Sequence, residues 1–441
     1  MMEYKLRNIG SITSSDLSIK PLTVIAGKNG SGKTFATKSL YAILSSVHEN
    51  SFHHILFDKF YSKIFDELKQ LLITENELAK NHGNFLIYEF NKLINEVDKL
   101  INGITVKLEK NIENYRNYLL ILIKKYKSLT VSKSLNNTLT ILSDLKQFMQ
   151  EPTQLTDTEL ETKISKKLKE TFQISDLEIL KNSDENIKIE LDIGTVEIAS
   201  NSQIDFEFSK SGIESIQKLS NIIFLDSPIF LKLRKALDKK REPSLPLFDE
   251  DSSKYLTGIP KYIETLYKNI DREYIEELDF EATKTKIGQI INGDVSIDNG
   301  QIIYKSSGRN IPISLTAMGV SSFAIIYLLI KSNTLRKGSY LIIDEPEVHL
   351  HPDWQVLLME ILYELAQQGV HVVIASHSIE IVKYLEVFLK EKEDANEIIA
   401  VNYMSKDEEF INKFHAQELK GQINMVLDDL GKPFFNLFSR A

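Results

Sequence analysis

Gly27-Lys28-Asn29-Gly30-Ser31-Gly32-Lys33-Thr34 fits G-x-x-x-x-G-K-[ST], a glycine-rich loop that cradles phosphate oxygens with backbone N–H groups. Its flanks fit the same reading. Leu22-Thr23-Val24-Ile25-Ala26 is a short apolar, β-branched run of the kind that forms a buried strand. Ala36, Leu40, Ile43, Leu44 and Val47 then recur at helical spacing. A strand, a glycine loop and a helix in that order aim the positive end of the helix dipole at bound phosphate. Lys33 is placed to reach β- and γ-phosphates, and the Thr34 hydroxyl to bind Mg²⁺. All eight residues Gly27, Lys28, Asn29, Gly30, Ser31, Gly32, Lys33 and Thr34 are therefore expected around ATP.

Two later apolar runs extend the nucleotide reading. Tyr340-Leu341-Ile342-Ile343 reads as a central parallel strand and ends in Asp344-Glu345. Carboxylates at the C-terminal end of such a strand lie where open α/β sheets bind ligands. Asp344 suits the role of holding Mg²⁺, and Glu345 that of the general base for the attacking water. Val370 to Ala375 is a third apolar run and is followed by Ser376-His377-Ser378. His377, just past a strand end, is placed to contact the γ-phosphate or the attacking water.

The order of these motifs resembles ABC/SMC-type ATPase heads. It consists of an N-terminal strand pair, the phosphate loop, a long insertion, Leu-Ile-Ile-Asp-Glu-Pro-Glu-Val-His-Leu-His-Pro (Leu341 to Pro352) and Ala-Ser-His-Ser (Ala375 to Ser378). It is most similar to the OLD-like ATPases of anti-phage systems, the neighbourhood of the Septu and PARIS types. The matching segments are residues 1–48 and 312–380. The resemblance implies an α/β fold, an ABC-type P-loop head with a mainly parallel core sheet, an antiparallel β subdomain and a large helical insertion. It implies head-to-tail dimers, in which a signature loop of one subunit closes over ATP held by the other. The corresponding segment is Ser314 to Val320, where Ala317-Met318-Gly319 stands in place of Ser-x-Gly. The phosphate-contacting hydroxyl is missing there, and Gly319 with the following helix N-terminus is left to offer backbone donors. Asp226-Ser227-Pro228 is the nearest stand-in for a Q-loop.

Around these motifs the chain divides, on this reading, into a head (1–48, 186–227 and 291–441), a helical insertion (49–185) and a helical lobe (228–290). Residues 50–182 suggest helices near 55–80, 85–101, 105–129, 135–150 and 157–172. Residues 186–209 alternate like a β-meander, and Val295 to Tyr304 reads as a hairpin turning at Asp298-Asn299-Gly300.

Composition sets further expectations. The chain has 441 residues, no cysteine and a net charge of −9, which points to a cytoplasmic protein with neither a disulfide framework nor a globally basic surface. No apolar run is long enough for a membrane span. Lys232, Arg234, Lys235, Lys239, Lys240 and Arg241 form one basic run, which leaves nucleic-acid contact open. His349 and His351 invite a zinc reading, but H-x-H puts the two rings on opposite faces of a strand with no thiolate to complete a site. No carboxylate constellation for a nuclease is visible beyond the ATP motifs. With these motifs, the resemblance implies an ATPase, slow at Ala317, that forms homodimers or larger rings and gates a separate effector. That effector would be a TOPRIM or HNH nuclease or a toxin. The alternatives are a non-hydrolysing, ATP-loaded scaffold that cages a toxin, and a RecF/SMC-like DNA-repair ATPase.

Overall fold

The computed structural model describes residues 2–49, 62–75, 78–89, 108–126, 128–150, 157–209, 219–238, 260–271, 279–298 and 300–438. In it, the apolar runs become strands. β1 (Met2–Ile9), β2 (Ile12–Ile19) and β3 (Leu22–Gly27) open the chain. After a long helical stretch come β4 (Ile187–Leu191), β5 (Gly194–Ile198), β6 (Ile204–Phe208) and β7 (Ile222–Leu225). Then follow β8 (Asp294–Asp298), β9 (Gln301–Ser306), β10 (Arg309–Pro312), β11 (Tyr340–Asp344), β12 (His371–Ser376) and β13 (Ile399–Met404).

β13-β3-β12-β11-β7 form one sheet in which every neighbouring pair is parallel. β3, β11 and β13 are buried at every position, as strands covered on both faces must be. The helix Met318–Lys331 is apolar nearly all round, and Phe323 through Ile330 are all buried, which places it in the interior. The sheet's register aligns the strand ends. Asp344 is level with Ala375, Ser376 with Ala26, and Ile343 with Leu225. The residues that follow are Gly27, Asp226, Glu345 and His377, so the three motifs and Asp226 emerge on one edge.

A second sheet, β2-β1-β4-β5-β6, is antiparallel throughout. It joins the first strands of the chain to the meander expected at 186–209. The third sheet is β10-β9-β8. The hairpin at 295–304 is present, and β10 extends it through a turn with Ser307 (φ 51°) and Gly308 (φ 74°), the left-handed pair a tight hairpin needs. With only four residues, β10 has too little alternation to be read from sequence.

The chain divides into two compact units, a first of Met1–Ser46 with Glu161–Ala441 and a second of Val47–Leu160. Two expected boundaries change. Residues 161–185 belong to the first unit rather than to the insertion. There the helix Asp157–Phe172 buries Ile164 and Leu168 and stacks Phe172 on Phe35, 5.6 Å between ring centres. The described residues of 228–290 form no separate lobe. Tyr262 packs edge-on against Phe224 of β7 at 4.9 Å, which ties that segment to the parallel sheet.

The Val47–Leu160 unit is helical. Among the described residues its helices are Ser62–Thr74, 78–89, Leu108–Lys125 and Leu129–Gln150. Of the expected 55–80 helix, Ser62–Thr74 and 78–80 are helical while 55–61 and 76–77 lie outside the described residues, and the described part of 85–101 continues the helix 78–89. Residues 90–101 lie outside the described residues. Stripes at i, i+3 or i+4, and i+7 spacing, such as Ile64, Leu68 and Leu71, or Ile112, Tyr115 and Leu119, make its core.

Candidate nucleotide site

The loop after β3 takes its shape from glycine. Gly30 has φ 76° and Gly32 φ 102°, a backbone region that side chains avoid. A Cβ on Gly32 would lie 2.4 Å from Ile12 Cγ1. The helix begins at Lys33, so the loop's amides precede its first turn, as the motif requires. Lys33 is buried, and its Nζ donates to the carbonyls of Gly27 (2.8 Å) and Lys28 (3.0 Å). Burial lowers its pKa, while Glu345, Asp344 and Glu347 pull it back up. That opposition places three carboxylates within electrostatic reach of the loop's ammonium. The Ser31 hydroxyl is buried and has no partner among the described residues.

Asp344 ends β11, and burial pushes its carboxyl up to about 6. Thr34 and Lys38 work against that rise, while Glu345 and Asp226 add to it. Asp344 Oδ1 is buried without a partner among the described residues. A buried carboxylate oxygen left bare is costly. Together with a hydroxyl and neighbouring acids, it is the donor set that suits a hard divalent cation. Thr34 and Asp344 therefore fit Mg²⁺.

Glu345 sits in the left-handed region, φ 51°, at a cost of about 1–2 kcal/mol. Its N–H donates to Ala375 O at 2.8 Å, so β12 holds it in that conformation. The bend takes its side chain out of the strand, where it is 42% exposed, beside a His377 that is 40% exposed. His377 Nδ1 lies 3.4 Å from Glu345 Oε1 and 3.4 Å from Glu347 Oε1. Water can thus reach both the candidate base and the imidazole.

Glu347 is the residue that sequence reading missed. It is buried, and its Oε1 accepts from Ser376 Oγ at 2.8 Å and from the His377 N–H at 3.0 Å. Oε2 is buried with no partner among the described residues. The signal was present as a second acid two residues after Glu345, but only the fold brings it against the end of β12.

Other candidates fall into place differently. Asp226, at the end of β7, accepts a hydrogen bond from the Tyr262 hydroxyl and acts electrostatically on Asp344, so it faces the cation side of the site. Gly319 lies in the first turn of Met318–Lys331. A Cβ there would be 3.0 Å from Trp354 and 3.3 Å from Leu350, so the space beside it is already tight inside the chain. Ala317 caps that helix with no side-chain hydrogen bond. The His351 ring accepts the Asp353 N–H at the start of Pro352–Gln367, a capping role, and among the described residues no group of three or more acids and histidines gathers to hold a metal. In the basic run, Lys232 donates to the Thr316 carbonyl and Arg234 is buried against Asp271. Neither is free to track a phosphate backbone. Lys239, Lys240 and Arg241 lie outside the described residues, as does the side chain of Lys235.

A family model described as an AAA ATPase domain matches residues 1–382. No curated protein matches the chain. Among solved structures, the Smc head bound to the C-terminal winged-helix domain of ScpA is similar, at 10% identity over 87% of this chain and 90% of that one, with a TM-score of 0.38. The SMC head domain from Thermotoga maritima is similar at 11% identity over 87% and 90%, with a TM-score of 0.35. An Smc head with a coiled coil and joint from Pyrococcus yayanosii gives 12% identity over 87% and 94%, and a TM-score of 0.31. At these scores the likeness carries no weight, and the fold rests on its own strand pairings.

Proposed function

This chain belongs to the AAA ATPase domain family, and from that premise we propose that it binds Mg·ATP at the C-terminal edge of β3, β12 and β11 and hydrolyses it there. One observation carries the reading: the buried, unpartnered Oδ1 of Asp344 lies in a site shared with Thr34 and Lys33. Mg²⁺, when bound by Thr34 and Asp344, supplies charge neutralisation for the β- and γ-phosphates. Lys33 exchanges its two carbonyl partners for phosphate oxygens. The loop's amides, at the start of the helix Lys33–Glu49, orient the triphosphate.

Glu345 takes the proton of a water whose oxygen attacks the γ-phosphorus as the bond to ADP breaks. His377 stands beside Glu345, where it stabilises the charge that develops on the transferred phosphoryl group. Glu347 holds the His377 backbone in place from behind. The carboxylates act with little reorganisation because each is already fixed by a strand end or a backbone bond.

The wider role is proposed on the resemblance. The chain assembles through its ATP sites into a homodimer or a larger homo-oligomer, and the assembly gates a separate effector, a nuclease or a toxin, in anti-phage defence. The signature-like segment Ala317-Met318-Gly319 then covers ATP on a second copy. Ala317, which makes no side-chain cap hydrogen bond, favours slow turnover. It also keeps a second reading in play, a non-hydrolysing scaffold that cages its toxin.

Calorimetric titration with Mg·ATP, repeated on Lys33→Ala, tests the site, and equal affinity in the two proteins would remove it. Steady phosphate release by the purified chain separates the ATPase from the scaffold. Light scattering with and without a slowly hydrolysed analogue tests the assembly. A monomer under both conditions, hydrolysing at a rate independent of its own concentration, would rule out a shared site.

A further inference from the structure

One ion pair ties the phosphate loop to the C-terminal part of the chain. Lys28, the second residue of the loop, places Nζ 2.9 Å from Oδ2 of Asp429, on the helix Leu419–Phe438. Asp429 is buried and has two further donors. Lys432 Nζ reaches its Oδ1 at 2.7 Å, and the Tyr403 hydroxyl from β13 donates to Oδ2. Burial works to raise the Asp429 carboxyl, but Lys432, Tyr403 and Lys28 together bring it down to about 2. Asp429, Tyr403 and Lys432 all lie beyond residues 1–382, the part that matches the family.

We propose that Lys28 is a second phosphate-binding cation, held in reserve by Asp429, and that its transfer from carboxylate to triphosphate couples the C-terminal helix to nucleotide occupancy. This rests on the ATP reading above. Three features make the exchange feasible. The first is where Lys28 is rooted. Its carbonyl accepts from Lys33 Nζ at 3.0 Å, so its side chain starts beside the ammonium that meets the β- and γ-phosphates. The second is the cost of leaving. The Lys28 side chain is 59% exposed, and a pair that open holds weakly. Asp429 keeps two donors when Lys28 departs, so no buried charge is orphaned. The third is the gain. A triphosphate carries more negative charge than one carboxylate and offers more acceptor oxygens.

The loop and the C-terminal segment also touch directly. Gly27 pairs in register with Met404 of β13, and a Cβ on Gly27 would lie 2.8 Å from Met404 O. The wall that carries Tyr403 and Asp429 therefore stands against the loop itself. Losing the Lys28 tether loosens the helix Leu419–Phe438 from one side only.

The test measures the affinity of the full chain for a slowly hydrolysed ATP analogue and for ADP, and amide exchange in residues 419–432. Asp429→Asn should tighten the triphosphate about two- to fivefold and change ADP by less than about twofold, the scale of an ion pair with one exposed partner. Lys28→Met should weaken the triphosphate by a similar factor, and adding Asp429→Asn to it should bring no tightening. The analogue should speed amide exchange across 419–432 in the parent and leave it unchanged in Lys28→Met. Unchanged or weaker triphosphate binding in a folded Asp429→Asn variant overturns the proposal, as does a double variant that tightens as much as the single one. If Asp429→Asn fails to fold, Lys28→Met decides alone, and parental triphosphate affinity there overturns it. Failure of the parent chain to bind ATP at all, with Lys33→Ala as control, sinks the ATP reading instead.

Discussion

The first unit and the helical unit of residues 47–160 are built on different packing rules, and their surfaces show it. In the first, a parallel sheet is covered on both faces, and its strand ends carry Lys33, Asp344, Glu345, Glu347 and His377 in mutual reach. In the second, single apolar stripes from four helices meet in one core. Seven of the ten large apolar side chains exposed among the described residues belong to it: Phe65, Ile73, Phe85, Ile87, Tyr88, Leu120 and Ile121. Its polar network is also of another kind. His82 joins the Tyr118 hydroxyl at 2.8 Å and Lys125 at 3.2 Å, pinning neighbouring helices together. The sheet concentrates chemistry because parallel strands end together. The helices spread their residues around cylinders and concentrate none.

That contrast predicts separable effects, the largest of them at the strand ends. Glu345→Gln should cut phosphate release about 100- to 10,000-fold while Mg·ATP binding stays near the parental value, because an amide positions water but takes no proton. Parental turnover in a single-turnover assay would move the base elsewhere. Lys33→Ala should weaken ATP by about 100-fold, the scale of a lost charge-assisted contact to phosphate. Its melting temperature should barely fall, since the lysine's present partners are two loop carbonyls. A variant that binds normally but unfolds early would make Lys33 structural.

The third effect belongs to the other unit. Leu119→Ala removes a fully buried side chain and should destabilise the helical unit by about 2–5 kcal/mol, seen in urea unfolding followed by helical circular dichroism. Nucleotide affinity should stay within about twofold. A large loss of ATP binding in a folded variant would break the contrast between the units.

The smallest effect is a gain. The Asp344 carboxyl is raised to about 6 by burial from an ordinary value near 3.9 in an unfolded chain. The native state therefore holds its proton longer than the unfolded state does. Stability falls as pH climbs from about 4 to 6 and stays reduced above that. Asp344→Asn should raise the ligand-free stability by about 1–3 kcal/mol at pH 7.5, with the gain shrinking below pH 6 and gone below pH 4. Thermal melts across that range check it. The same variant should lose Mg²⁺-dependent tightening of ATP, and in the parent that tightening should weaken as pH drops below about 6, where protons compete for the carboxylate.

Much of this site was legible in local sequence. The phosphate loop, the Asp344-Glu345 pair and His377 each follow an apolar run, and a strand period with a polar end is written in adjacent residues. The parallel sheet and the meander were legible for the same reason. Helix ends were less so. The early start at Leu129 depends on how its stripe meets its neighbours, which periodicity alone does not encode.

By itself, then, the sequence determined a glycine-rich loop between a strand and a helix, the acids at a strand end and the α/β class. Each of these depends on neighbours a few residues apart, which obey fixed rules of spacing and backbone geometry. Only the tertiary structure decided that Glu347 supports His377, that Asp226 faces Asp344, that Gly319 is already enclosed by Trp354, and that Lys28 answers to Asp429. Those pairs are between 30 and 401 residues apart, and the packing of strands and helices brings them within a hydrogen bond, an ion pair, a van der Waals contact or electrostatic reach. No local propensity specifies which distant group will fill a given space in a close-packed interior.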